Sequence, residues 1–324
     1  MTLFARGRTA LVCLAMVSCI YALPPSSPHL HALPAQLSQS GLYADILGGT
    51  LAPGVRPYTP SYELWSDGAT KRRWIRLPAG ATIDASNHDD WQFPVGTRLW
   101  KEFARDGLRV ETRALVRISN APDGWASAAY LWSPDQHDAT LLIEGRENAL
   151  GTGHDVPSSR ACAGCHAGRA SYVLGFSALQ LSHAAATEGD LTLDELRREG
   201  LVSGSEAAPF TVPGDATAQA ALGYLHANCG NCHNSARPSS ATYMRARHGP
   251  DLWLTQAESG TVKQTRAYRT MLDEFVHPGS PADSKILRRM HGQPWILRRM
   301  PPIASEQIDH AGEAAVARWI SELR

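Results

Sequence analysis

An excess of charge of one sign is missing from this 324-residue chain, in which thirty-one basic residues face thirty-one acidic ones. No net field draws it to nucleic acid or to an anionic membrane surface, which leaves a small molecule or another protein as the partner. A long hydrophobic run is missing as well: the apolar stretch from about Ala10 to Ile20 is too short to cross a bilayer as a stable helix. Methionine is absent between Met16 and Met244, so no His/Met metal site can be built locally there. Cysteine is sparse, with six residues, of which Cys13 and Cys19 lie close to the N-terminus.

What is present is enough for a real core. Hydrophobic residues make up 43% of the chain, and its length suits two domains. The first residues, MTLFARGRTALVCLAMVSCIYA, set Arg6 and Arg8 before the apolar run and small residues after it, which reads as an export signal over 1–22 and a periplasmic destination. Met16-Val17-Ser18-Cys19 resembles a bacterial lipobox, which implies a possible lipid anchor through Cys19; ordinary cleavage after Ala22 is the rival. Residues 23–42 are rich in Pro and Ser without an apolar period and read as a tether.

The four remaining cysteines form two C-x-x-C pairs, each followed at once by histidine: Cys162-Ala163-Gly164-Cys165-His166 and Cys229-Gly230-Asn231-Cys232-His233. This is the pattern of c-type haem attachment. Two thiols three positions apart on one helical turn can each form a thioether to a haem vinyl group, and the adjacent imidazole then meets the iron. A structural zinc would have to span the 64 positions between Cys165 and Cys229 and treat both histidines as accidents. A thioredoxin-type site lacks its βαβ setting, and disulfides between cysteines three apart are strained. Two covalently attached haem c groups are therefore the expected cofactors, with His166 and His233 as iron ligands.

From about residue 206 the pattern is helical. Asp215 can cap a helix through ATAQAALGYLHANC, and GEAAVARWISEL (312–323) repeats Val316, Trp319, Ile320 and Leu323 at helical spacing. The pentapeptide ILRRM occurs twice. Ser280-Pro281-Ala282-Asp283 reads as a helix start, so the first copy is helical and Met290 packs. The second copy runs into Pro301-Pro302, which pushes Met300 into a stiff extended loop. A helix entering C-x-x-C-H, a terminal helix with an aromatic residue and the M-P-P loop between them resemble class I cytochrome c over about 110 residues. That resemblance implies an all-α domain over 206–324 and Met300, 67 positions past His233, as the second haem's sixth ligand. Core filling is the other role open to Met300. Arg288, Arg289, Arg298 and Arg299 could pair with propionates or form a solvated face, and Pro238 could place a carbonyl near the His233 ring.

Between Tyr43 and about Gly145 the period is two. RRWIRLP (72–78), TRLWKEF (97–103), LRVETRALVRIS (108–119) and GWASAAYLW (124–132) read as strands, with Asp106-Gly107 and Asp123-Gly124 as turns. In the third strand Leu108, Val110, Thr112, Ala114, Val116 and Ile118 share a buried face, leaving Arg109, Glu111, Arg113 and Arg117 on a wet one. Lys101 falls on the apolar face with Leu99 and Phe103, where its stem could lie along the core rim with the ammonium in water. FPVGTRLWKEF followed by ACAGCH also resembles, over about 80 residues, the β-sheet c-type cytochromes that oxidise hydroxylamine. By that resemblance Lys101 takes the place of a lysine cross-linked to haem, while the distal acidic residue of those enzymes has no match here. The sixth position of the first haem is open, or taken by His154, His183 or a residue of the other domain.

Taken in order, SYELWSDGATKRRWIRLP, WQFPVGT, VETR, DVPSSRACAGCH and YLHANCGNCH followed by RMPP resemble an uncharacterised family of exported bacterial dihaem c-type cytochromes. The expectation is an α+β chain: a β-rich N-terminal haem domain (43–205), mostly helical over 167–205, followed by an all-α class I cytochrome c domain (206–324). Its expected function is periplasmic electron transfer with a redox protein or dehydrogenase as partner. The alternative is a haem enzyme, peroxidase-like or acting on a small nitrogen species, with chemistry at the N-terminal haem and the other as relay. A zinc-stabilised binding protein is a third class.

Overall fold

The computed structural model describes residues 29–204, 209–236, 249–292, 299–302 and 304–324. The residues read as an export signal, Cys19 among them, and with them Pro238 and Arg298, lie outside the described residues.

A short hairpin, β1 (Tyr43–Asp45) with β2 (Thr50–Leu51), precedes the main sheet. That sheet contains β3 (Arg56–Pro57) and β4 (Thr70–Arg76); β5 (Ile83–Asp84) lies outside it and pairs in parallel with β12 (Val202–Ser203). The sheet continues through β6 (Arg98–Arg105), β7 (Leu108–Arg117), β8 (Trp125–Trp132) and β9 (Ala139–Leu142), giving the antiparallel order β3-β4-β6-β7-β8-β9. These strands coincide with the stretches of period two. The β6–β7 hairpin closes on Asp106-Gly107, both at positive φ (52° and 81°), as a two-residue turn requires. The second Asp-Gly does not make such a turn: Gly124 N–H returns to the Ala121 carbonyl in a longer loop, so β7 and β8 are joined less tightly. A last hairpin, β10 (Arg146–Ala149) with β11 (His154–Val156), leads into helix α1 (Ser159–His166), which carries the first cysteine motif.

Both faces of the sheet are covered. Trp74, Trp100, Ala114 and Ala128 stand side by side across four strands and pack, with Tyr130 and Trp132, against Leu33, Leu37 and Leu42. Those three leucines belong to the stretch read as a tether; from residue 29 onward it lies on the sheet in two 3₁₀ turns, because leucines three to five apart supply the apolar cover that this face needs. The opposite face, read as wet, is also enclosed: Glu111 is 0% and Arg117 6% exposed.

The fold class needs correction at its second half. The described residues of 206–324 do not form an all-α class I cytochrome c domain. After the short helices α2 (Ala178–Leu181) and α3 (Leu193–Arg198), the described helices are α4 (Ala216–Leu225), α5 (Arg266–Met271), α6 (Lys285–His291) and α7 (His310–Glu322). Their apolar faces do not close on one another as a separate bundle. Leu222, Leu225, Met271, Met290, Val316, Trp319 and Ile320 share one core with Ile75, Leu99 and Trp125 of the sheet. Of the stretch 167–205 read as mostly helical, the described residues 167–204 are mostly irregular, with α2 and α3 as their helices, because their apolar residues fill the gap between sheet and helices without a sustained helical period.

Several local expectations hold. The Asp215 carboxylate accepts from Ala218 N–H and caps α4 as expected; the Asp309 carboxylate, not read as a cap from the sequence, does the same for α7 through Gly312 N–H. Met290 is buried on α6. That helix starts at Lys285, after a 3₁₀ turn over Pro281–Asp283, and Ser284 rather than Ser280 precedes it.

Candidate functional site

The charged face of the sheet and the two cysteine motifs meet around one cavity. It holds about 1210 Å³ of space not filled by atoms, its mouth included. One wall carries Leu99, Lys101, Arg113, Leu115 and Ser127 from β6, β7 and β8. Cys162, Cys165 and His166 of α1 line it as well, as do Trp65, Asn228, Asn231, Cys232 and the loop residues Pro301, Pro302 and Ala304. A second, smaller cavity shares Lys101, Leu64, Val173, Leu174 and Asn231 with it and adds Arg73, Asp90 and His226.

The first motif has the geometry of a metal-ready imidazole. His166 Nδ1 lies 2.7 Å from the Tyr172 carbonyl, and since a carbonyl can only accept, Nδ1 must carry the proton. Nε2 is then the lone-pair nitrogen. Burial pushes the His166 pKa down to about 4, so the ring is neutral at ordinary pH, the form in which histidine ligates metals. Fixing a ligand's tautomer through its second nitrogen is the usual outer-shell device at metal sites. Burial also raises the Cys162 thiol to about 11, so it rests as a thiol at neutral pH.

The second motif sits at the end of α4, where the helix widens into a π turn over His226–Gly230 before Cys232 and His233. Asn228 anchors it: its side-chain oxygen accepts from Trp65 N–H at 2.7 Å, and its amide donates to the Glu63 and Tyr224 carbonyls. Burial raises Cys229 to about 12. The two motifs touch. Cys232 Sγ lies 3.9 Å from the Gly164 carbonyl, and a hydrogen bond between the Cys165 and Cys232 thiols lowers the Cys165 pKa. Behind them Gly168 is pressed against the Asn231 carbonyl, only 2.0 Å from where a Cβ would stand. All four cysteines are free of disulfides.

Lys101 lies in the wall opposite α1. In register it faces Arg73 on β4 and Arg113 on β7, so three cations stand in line across adjacent strands, an arrangement that is destabilising by itself. Arg73 is paired with Glu63 at 3.2 Å. Arg113 makes a two-pronged bond to Glu111 (Nε–Oε2 3.0 Å, Nη2–Oε1 2.6 Å). Burial alone would raise the Glu111 carboxyl; Arg113, with the His154 ring donating from Nε2 at 2.7 Å, more than offsets it and leaves the pKa lowered. Lys101 has no such partner among the described residues. Its ammonium rests over the Phe103 ring at 4.9 Å. That contact is worth up to about 2 kcal/mol, against several kcal/mol for desolvating an ion. Burial, with Arg73, Arg113 and Lys71 adding, therefore pushes its pKa well below the usual lysine value.

The remaining expected residues separate. His154 is fully buried and its Nε2 is committed to Glu111, and His183 has both ring nitrogens against backbone carbonyls; neither lines the cavity. Met300 is half-buried, with its N–H on the Arg289 carbonyl, and it is Pro301 and Pro302 beyond it that form cavity wall. Arg299 donates to the His291, Ser305 and Glu306 carbonyls, so it ties the M-P-P loop to its surroundings rather than facing the cavity. The cavity's cations come instead from the sheet. Among the described residues no group of three or more His, Cys, Asp or Glu is gathered to hold a bare metal ion, as a zinc site would need. No helix among the described residues is long and apolar enough to cross a membrane. No family model, curated protein or solved structure matches this chain.

Sequence reasoning missed Tyr172, whose role is carried by a backbone carbonyl and leaves no side-chain signal. It missed Arg73 and Arg113 as neighbours of Lys101 as well, although all three alternate in phase with apolar residues on their strands.

Proposed function

We propose that the chain is a dihaem c-type cytochrome that carries electrons in the periplasm, with a soluble redox protein or a dehydrogenase as partner and, if Cys19 is lipidated, an anchor to a membrane. The observation that carries this reading is the His166 tautomer: a half-buried, neutral imidazole held through Nδ1 by the Tyr172 carbonyl, on the same cavity as Cys162 and Cys165. A cofactor that takes two thiols and one imidazole from a single helical turn fits this set; a bare ion does not.

Bound haem would supply one-electron exchange at its iron. Cys162, Cys165 and His166 would hold the first group, and Cys229, Cys232 and His233 the second. The apolar residues Leu99, Leu115, Val173 and Leu174 line the cavity and would shield a group seated against them from water on that side, which lowers the reorganisation that accompanies a change of charge. The hydrogen bond between Cys165 and Cys232 puts the two attachment points in contact, which supports passage of electrons within the chain. Met300 is the proposed sixth ligand of the second haem, supplied by the loop that Arg299 ties down.

One observation favours a second reading, that of an enzyme acting on a small oxidant or nitrogen species. Neither histidine considered as a sixth ligand of the first haem lines the cavity, and the wall facing α1 carries Lys101, Arg113 and Ser127 among its apolar residues. An optical spectrum of the periplasmically matured protein, reduced and with carbon monoxide added, separates the two. No change on carbon monoxide is the result expected for a carrier with two six-coordinate irons. A shift in half the haem would replace the carrier with the enzyme, and Met300→Ala opening the other half would identify the ligand of the second site.

A further inference from the structure

We infer that the row Arg73–Lys101–Arg113 is an anion-binding site, built to take a carboxylate or a small inorganic anion between the sheet and helix α1. The inference shares the cavity of the reading above but needs only the sheet. The three residues are direct cross-strand neighbours, so their backbones lie within roughly 10 Å of one another. The row is continuous from one cavity to the next: Arg73 lines the smaller, Arg113 the larger, and Lys101 both.

Like charges directly opposite each other destabilise a sheet, and here Arg73 is buried and Lys101 and Arg113 are half-buried. Compensation from the chain is incomplete. Glu63 serves Arg73 and, at 4.0 Å, Lys71, and Glu111 is taken by Arg113 and His154. Lys101, at the centre, receives no carboxylate, hydroxyl or carbonyl from the described residues, and an aromatic face cannot accept its three N–H groups. A lone ammonium flanked by two guanidinium groups, each held by its own carboxylate, lacks one component: a negative group of small size. The cavity supplies the space for it.

That group has two sources, a propionate of bound haem or an anion from solution such as nitrite or azide. The test uses the matured protein with its haem content counted beforehand, so that a failed haem reading is recognised separately. Calorimetric titration with azide and with nitrite is run on the wild type, Lys101→Met and Lys101→Arg. If the anion comes from solution, the wild type binds it, Lys101→Met loses roughly tenfold to hundredfold in affinity, and Lys101→Arg keeps most of it. If the site holds a propionate, none of the three binds added anion, and Lys101→Met instead shifts the midpoint potential of one haem while Lys101→Arg restores it. Equal anion affinities in wild type and Lys101→Met, or an absence of binding together with unchanged potentials, would overturn the inference.

Discussion

A methyl group placed on Gly168 should force the two cysteine motifs apart. Its Cβ would stand 2.0 Å from the Asn231 carbonyl oxygen and 3.1 Å from the carbon behind it, whereas ordinary contact begins at 3.4 Å, so a separation of about 1.4 Å is needed. The obstacle is backbone, which has no rotamer to escape into, and Gly168 has no positive φ, so the penalty is one of space alone. Overpacking a tight contact costs up to about 3 kcal/mol. For a chain of 324 residues that corresponds to a fall in Tm of up to roughly 4–5 °C. Gly164→Ala is the matched control: it lies in α1, in the same motif, with nothing within 4 Å of its Cβ, and a helical alanine gains up to about 1 kcal/mol. Thermal unfolding followed by circular dichroism, with haem content measured in parallel, compares the two. Gly168→Ala should melt lower and carry less haem. Equal melting of the two variants would refute the packing of motif against motif.

Three further outcomes follow from the same structure. Glu111→Ala leaves the Arg113 guanidinium buried against the cavity without its carboxylate and should cost about 3–5 kcal/mol, read as a lower urea midpoint, while Glu111→Leu with Arg113→Met should recover much of the loss; a cost below about 1 kcal/mol for Glu111→Ala would contradict the pairing. His226, lowered to about 3 by burial with Arg169 adding, binds its proton more weakly folded than unfolded, so its stability contribution is complete above the unfolded pKa near 6.5 and falls as pH drops toward 3, by at most about 1.4 kcal/mol per unit. His226→Asn should flatten the acid limb of a stability–pH curve, and an unchanged limb would remove His226 as its source. In chain expressed without haem attachment, mild oxidation should join Cys165 to Cys232 across the motifs, as peptide mapping would show; a Cys162–Cys165 product alone would place the motifs apart.

The main strands, the Asp215 cap and the positions of both motifs were legible in the sequence, because each rests on a local rule: alternation, an Asp before a helical run, two cysteines and a histidine in five residues. What the residues do together was not. Counted back from Asp106-Gly107, Lys101 should pair with Thr112, but a bulge at Val110 shifts the register by one residue and sets Arg113 opposite instead. A one-residue shift exchanges the faces of a strand, and that single insertion creates the cationic row. The helical half was misread for a related reason. Amphipathic helices such as α4 and α7 announce that they need an apolar partner but not which one, and here the partner includes the sheet. Contact between Cys165 and Cys232, 67 positions apart, has no signature in either motif.

The central claim is that both cysteine motifs carry covalent haem. Its most direct test is a pyridine haemochrome count on the periplasmically matured protein, with mass spectrometry of its peptides. Two haems per chain, one on the peptide of Cys162 and Cys165 and one on that of Cys229 and Cys232, is the predicted result. One haem or none, with unmodified thiols at either pair, would contradict it.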